Sequence, residues 1–187
     1  TDLDRGGTFT LDGGTTLEVD AAANFPEDFG TYALSTTSTV DYQFDNTSSQ
    51  TVEGGISYGN LILTRTGGDP AEKTLSGDIP IQGNFSTVGQ VDFIANNHTI
   101  TLSGNWTRSV TGNSDFTEGT STLILAGTSD QTVDLGASGM ETFYNLTVAK
   151  TSGSVLFGSN ISGITVSNDL TLSNGTLNMA TDPLTVN

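Results

Sequence analysis

Residues 145–187 read NLTVAKTSGSVLFGSNISGITVSNDLTLSNGTLNMATDPLTVN, and three near-identical triplets stand in them. These are Leu146-Thr147-Val148, Ile164-Thr165-Val166 and Leu184-Thr185-Val186. Each is apolar, polar, apolar, the pattern of a short strand with one face buried. Six more lie upstream: Leu17-Glu18-Val19, Val40-Asp41-Tyr42, Leu61-Ile62-Leu63, Ile79-Pro80-Ile81, Ile100-Thr101-Leu102 and Leu123-Ile124-Leu125. The nine follow one another at steps of 23, 21, 18, 21, 23, 23, 18 and 20 residues.

A longer period lies over the short one. Triplets starting at 40, 61, 79 and 100 match those starting at 123, 146, 164 and 184, at offsets of 83, 85, 85 and 84 residues. STVDYQFDNTSSQTV (38–52) parallels STLILAGTSDQTV (121–133), and YGNLILTRTGG (58–68) parallels FYNLTVAKTSG (143–153). Arg65 and Lys150 fall at the same place in the two copies. One solenoid over residues 1–187 is expected, with a first four-rung repeat at 38–120 and a second, incomplete one at 121–187.

Between triplets lie further apolar pairs such as Leu170/Leu172 and Leu177/Met179, separated by polar turns (SND, SNGT, ATDP). A rung therefore holds about three short strands, with Gly, Asn, Asp and Ser supplying the bends. A strand that recurs at such spacing can stack on its own previous copy, its inward residues forming columns. The expected fold is all-β: a right-handed parallel β-helix of about nine rungs of 18–23 residues, roughly 43 Å long. A β-sandwich also uses short strands, but gives no reason for this ladder. The dense L-x-x-L-x-L pattern of leucine-rich repeats is absent. Residues 19–30 (VDAAANFPEDFG) are the best candidate for a helical turn, limited by Pro26. Pro80, which lacks a ladder N–H, is expected to mark a local break or bulge. Leu146 is expected beside Ile164, and Ile164 beside Leu184.

Composition bounds the partners. The chain has 187 residues, 34% of them hydrophobic, no cysteine, and five Lys+Arg against 21 Asp+Glu for a net charge of −16. Such a surface repels phosphate backbones, so nucleic acid is excluded as an expected partner, while divalent cations and high salt are favoured. No apolar run approaches the ~20 residues of a membrane helix. No signal peptide is visible at Thr1, and the reading is a soluble chain, mature or excised from a longer one.

The stretches GNWTRSVTGNSDFTEGTSTLILAGTSDQTV, FYNLTVAKTSG and NDLTLSNGTLNMATDPLTVN resemble repeats in very large secreted and cell-surface proteins of Bacteroidetes and related environmental bacteria. The resemblance covers nearly the whole chain. It implies β-helical stalk or adhesin segments, an extracellular or cell-surface location, and no shared catalytic motif.

Candidate chemistry is sparse. His98, the only histidine, sits in ANNHTIT with no evident partner, and the second copy has none at that place; it reads as a turn or surface residue. Asp41, Asp45, Asp92, Asp115, Asp130, Asp134, Asp169 and Asp182 fall at turns or outward strand positions. Paired carboxylates can serve a glycosidase and clusters can bind Ca²⁺, but the G-G-x-G-x-D calcium pattern is missing, so adventitious Ca²⁺ at most is expected. Polysaccharide lyases on β-helices use basic residues, and Arg5, Arg65, Lys73, Arg108 and Lys150 are scattered rather than clustered. Thr147, Thr165 and Thr185 suggest an ice-binding column, one broken at Ile124 and earlier at Pro80 and Ile62; β-propensity explains threonine there. Sequons stand at Asn46, Asn84, Asn97, Asn105, Asn145, Asn160 and Asn174. Trp106 reads as partly buried under a turn.

No catalytic, cofactor or metal site is expected. The expected role is a structural or adhesive extracellular module forming a rod, stalk or filament, its partners being rungs stacked end to end and surface glycans. The alternative is a carbohydrate-active or carbohydrate-binding β-helix. Neither end carries a strong cap, Asp2 and Asp4 being a feeble one, so Leu184 and Val186 are expected under another rung.

Overall fold

The fold is described from a computed structural model that covers residues 6–21, 25–26, 29–44, 49–112, 114–179 and 183–187. Every strand pairing in it is parallel. Inward and outward side chains alternate along the triplet strands, and most inward ones are apolar, as the triplets require.

The strands sort into stacked layers, each crossing three faces in the order A, B, C. The first layer holds β1 (Thr8–Leu11) and β2 (Thr16–Val19), the second β3 (Thr31–Leu34), β4 (Thr39–Tyr42) and β5 (Gln50–Val52). The third has Tyr58, bridged to Ile81, on face A, then β6 (Asn60–Arg65) and β7 (Ala71–Leu75). The fourth is β8 (Ile79–Ile81), β9 (Phe85–Gly89) and β10 (Val91–Ile94); the fifth β11 (Thr99–Leu102), β12 (Trp106–Arg108) and β13 (Phe116–Thr117). The sixth is β14 (Thr122–Leu125), β15 (Gln131–Leu135) and β16 (Gly139–Phe143). Then β17 (Asn145–Phe157) crosses faces A and B before β18 (Ile161–Val166), and β19 (Leu170–Asn178) does the same before β20 (Leu184–Val186). The result is a parallel β-solenoid of about seven turns.

The expected nine rungs are thus too many, and the reason lies in the two short steps. Leu17, Val40 and Leu61 stack on face B, but the next residue on Leu61 is Phe85, 24 residues on, and not Ile79. Ile79, Ile100, Leu123 and Leu146 stack on face A, and Leu146 is followed by Leu170. Ile164 belongs to face C, between Glu141 and Leu184. The expected Ile164–Leu184 neighbours are present; the expected Leu146–Ile164 neighbours are not. Eighteen residues are too few to complete a turn here, so at each 18-residue step the triplet moves to the next face.

The same arithmetic governs the long repeat. Val40 and Leu61 lie on face B, while their counterparts Leu123 and Leu146 lie on face A. Ile79 and Ile100 lie on face A, their counterparts Ile164 and Leu184 on face C. Eleven strand positions separate each pair, or three turns and two-thirds. The second copy is therefore turned by one face about the axis.

Pro80 sits where face A is weakest. On one side β8 pairs with β11, and on the other only the Tyr58–Ile81 bridge remains, with the Tyr58 N–H donating to the Pro80 carbonyl at 2.9 Å. The expected break is there, because proline has no N–H to continue the ladder. Face C is interrupted too: β5, β7, β10 and β13 form one sheet, and β16, β18 and β20 another. The break coincides with the longest step on face B, 27 residues from Trp106 to Val133. Of residues 19–30, where a helical turn is expected, 22–24 and 27–28 lie outside those described, and the described ones hold no helix; Phe25 among them is buried.

Corners hold the turn-forming residues. Gly119 has φ +57°, and a Cβ there would strike the Asn96 carbonyl of the layer before. The core is aromatic in its middle: Phe85 and Trp106 lie 4.4 Å apart between ring centres, with Phe93, Phe116 and Phe143 around them.

Candidate functional site

The basic residues do not form a surface cluster, and among the described residues none is on the surface at all. Arg65, Lys73, Arg108 and Lys150 are 5%, 0%, 4% and 0% exposed. Arg5 lies outside the described residues. Burying a charge costs several kcal/mol unless it is well partnered, so each of these must be held.

Two of them share one device. Gln50 on β5 donates through Nε2 to the carbonyls of Val19 and Ala21 in the layer before, at 2.8 Å each, and its Oε1 accepts from Lys73 Nζ at 2.5 Å. Lys73 also donates to the Phe44 carbonyl. Gln131 on β15 does the same toward Leu102 and Gly104, and its Oε1 accepts from Lys150 Nζ at 2.7 Å. Lys150 adds the Gly127 and Ser129 carbonyls at 3.2 and 2.8 Å, so three oxygens meet the three N–H bonds of its ammonium. Burial still lowers its pKa from the ordinary lysine value, with Asp130 opposing the shift. Gln50 and Gln131 match between the sequence copies, but the lysines do not: Lys73 comes from strand β7, Lys150 from the corner within β17. The repeated QTV text could have pointed to the glutamines. Nothing in the sequence pointed to their lysines.

The third cation closes the break in face C. Arg108 Nε donates to Glu141 Oε2 at 2.9 Å and its Nη2 to Oε1 at 3.3 Å; Trp106 Nε1 also reaches Oε2 at 3.3 Å. Both ion-pair partners are buried. Trp106 is fully buried, not partly, and stacks inside the core rather than under a turn. Glu141 takes the place that Ile56 holds in the first copy, so the pair joins the two repeats at their boundary. Nearby in the first copy, the Tyr42 and Tyr58 hydroxyls lie 3.0 Å apart in the core. Burial pushes the Tyr42 hydroxyl up to about 12, and that of Tyr58 well above its ordinary value.

The carboxylates serve backbone. Asp92 Oδ1 accepts the Asp115 N–H, Asp130 Oδ1 that of Ser154, Asp134 Oδ1 those of Leu135 and Asn160, and Asp115 Oδ1 that of Phe116. The Asp169 N–H donates to Asn145 Oδ1. Asp41 on face B has its pKa raised, first by burial, with a hydrogen bond to Thr64 opposing. Asp45 and Asp182 lie outside the described residues. Among the described residues, no group of three or more His, Asp and Glu is placed to hold a metal ion. His98 is partly exposed, its Nδ1 3.7 Å from Asp78 Oδ1, and that carboxylate accepts the Thr99 N–H.

Several sequon asparagines are also taken up. The sequon residues Asn84 and Asn105 form a ladder with Asn60, which is not in a sequon, each Oδ1 accepting an N–H of the next layer at 2.8 to 2.9 Å and ending at Thr132. Asn145 bonds Thr122, Asn168 and Asp169. Asn97 and Asn174 are exposed, and Asn160 is half-buried. Asn46 lies outside the described residues. The threonine column also divides: Thr147 is on face A, while Thr165 and Thr185 continue from Thr142 on face C.

The chain matches no protein-family model, no curated protein and no solved structure. No helix among the described residues is long and apolar enough to cross a membrane.

Proposed function

We propose that the chain is a structural, adhesive module of an extracellular or cell-surface protein, and that its work is mechanical rather than catalytic. It forms a rod that spaces or displays what it is joined to, with neighbouring parallel layers stacked end to end as its partners. The observation that carries this reading is the parallel stack itself, in which each layer pairs with the one before and adds its inward side chains to one core. On β19 and β20, Leu172 and Val186 are 57% and 48% exposed. Leu170, Leu177, Met179 and Leu184 of the same layer are only half-buried. An unpaired strand edge over an apolar row is a template for another strand. A further parallel layer, of the same or another chain, can seat on such a row.

The carbohydrate-active or carbohydrate-binding alternative asks for aromatic rings on an outer face. Among the described residues Phe29 is the one aromatic with substantial exposure, at 38%. Every Lys and Arg among them is inside, which leaves a lyase without its basic groups. Surface glycans remain a partner for the hydroxyl-rich exterior.

Sedimentation and electron microscopy of the 187-residue chain test the rod. Rods that lengthen with concentration, and that shorten when Leu172→Glu and Val186→Glu are introduced, support it. A compact monomer at high concentration that keeps its β19–β20 layer folded sinks it.

A further inference from the structure

Face A differs from the other two faces in charge. In a chain of net charge −16, no charged residue stands in β1, β3, β8, β11, β14 or the face-A stretches 145–149 and 170–173. Faces B and C carry Glu18, Asp41 and Asp134, and Glu72 and Asp92.

The outward side chains of face A stand in two columns. One runs Thr99, Thr122, Asn145; the other runs Pro80, Thr101, Ile124, Thr147, Thr171. Asp78 and Asp169 lie just outside the strands at the two ends of the first. In the first two layers Thr8 pairs with Thr31 and Thr10 with Ala33. Hydrogen-bonded register fixes the spacing at about 4.8 Å between layers and about 6.7 Å between the two columns. Threonine is stiff at χ1, so its hydroxyl and methyl keep their places. The triplets starting at 100, 123 and 146 already align most of this array in the sequence; the structure adds Thr171, which the sequence ladder left out.

We propose that face A binds an ice surface. Ice is an uncharged lattice of fixed oxygen rows, and the face-A strands carry an uncharged two-dimensional array, mostly threonine hydroxyls and methyls with Asn145 and Pro80 at its margins, with spacings of the same order. Between Asp78 and Asp169 an ionic partner would meet no charge on the face-A strands, while the acidic faces B and C repel other copies and leave face A the side that can approach a neutral solid. A sugar polymer is less well served, because no aromatic side chain points outward from these strands. Ile124 keeps the methyl and loses the hydroxyl at one lattice point. The inference is independent of end-to-end stacking, since a single copy carries the whole face.

The test is ice-crystal shaping and thermal hysteresis with the purified chain, with sedimentation run alongside so that monomer and rod are read separately. Wild type is expected to shape crystals and produce a hysteresis gap. Thr122→Glu and Thr147→Glu, on face A, should lose both. Thr142→Glu, outward on face C, should keep both, with circular dichroism showing all three folded. No shaping by the folded wild-type chain overturns the proposal, as does equal loss in the face-C variant. Face-A-dependent binding to microcrystalline cellulose or chitin without crystal shaping overturns it in favour of a neutral polysaccharide. A dimer abolished only by the face-A variants, without crystal shaping, overturns it in favour of a second copy.

Discussion

Leu146 lies beside Leu170 in parallel register, while Ile164, whose triplet reads almost the same, lies one face away beside Leu184. This pairing fixes how the last layers close. The neighbours Thr147 and Thr171 both point outward, about 4.8 Å apart, within the range of Cα separations a disulfide spans. The native chain has no cysteine to compete. Thr147→Cys with Thr171→Cys should therefore cross-link under mild oxidation, seen as a change in gel mobility that a reductant reverses. Thr147→Cys with Thr165→Cys should not. The reverse result would restore the single ladder of nine rungs.

Glu141→Ile copies the first repeat into the second but strands Arg108 in the core. Removing one partner of a buried pair costs about 3–5 kcal/mol. Replacing both, with Arg108→Leu added, should recover most of that loss, because two apolar residues leave no charge to desolvate. Urea unfolding of the two variants measures both effects. A single variant as stable as wild type would show that solvent reaches the pair.

Tyr42 and Tyr58 make stability fall in alkali. Their folded pKa values are raised above the unfolded value near 10, so the folded state holds its protons longer. The stabilisation is whole below about pH 10 and is lost as pH climbs through about 12. For Tyr42 alone, a shift from 10.0 to about 12 amounts to roughly 2–3 kcal/mol. Lys150 works the other way, its lowered pKa adding stability as pH rises toward 10.5. Comparing wild type with Tyr42→Phe/Tyr58→Phe removes the lysine contribution. The double variant should start less stable at pH 8 and lose less between pH 10 and 12. Parallel pH profiles would mean that the hydroxyls ionise freely.

Trypsin needs an exposed Lys or Arg on chain that can unfold locally. Since Arg65, Lys73, Arg108 and Lys150 are buried, the folded chain should resist cleavage at all four, while the urea-unfolded chain is cut at each. Mass spectrometry of a timed digest reads the sites. Early native cleavage after Lys73 or Lys150 would show that the glutamine–lysine contacts open readily.

The sequence by itself determined the strands, their alternation, the corners and the parallel stacking. The triplets and the Gly, Asn and Asp turns carry that information locally, through a period of two and the backbone needs of bends. It also marked Pro80 as a weak point. Only the tertiary structure decided which face each strand occupies. Apolar, polar, apolar tells a residue whether it points in or out, and says nothing of its direction around the axis. Two 18-residue steps looked like rungs for that reason, and the 84-residue repeat looked aligned when it is turned by one face. The buried contacts were equally out of reach: Arg108 and Glu141 are 33 residues apart, and Lys73 and Gln50 are 23 apart. In the sequence each is a scattered charge or amide. They become partners because the turns differ in length, and only the closed turns set which inward side chains meet.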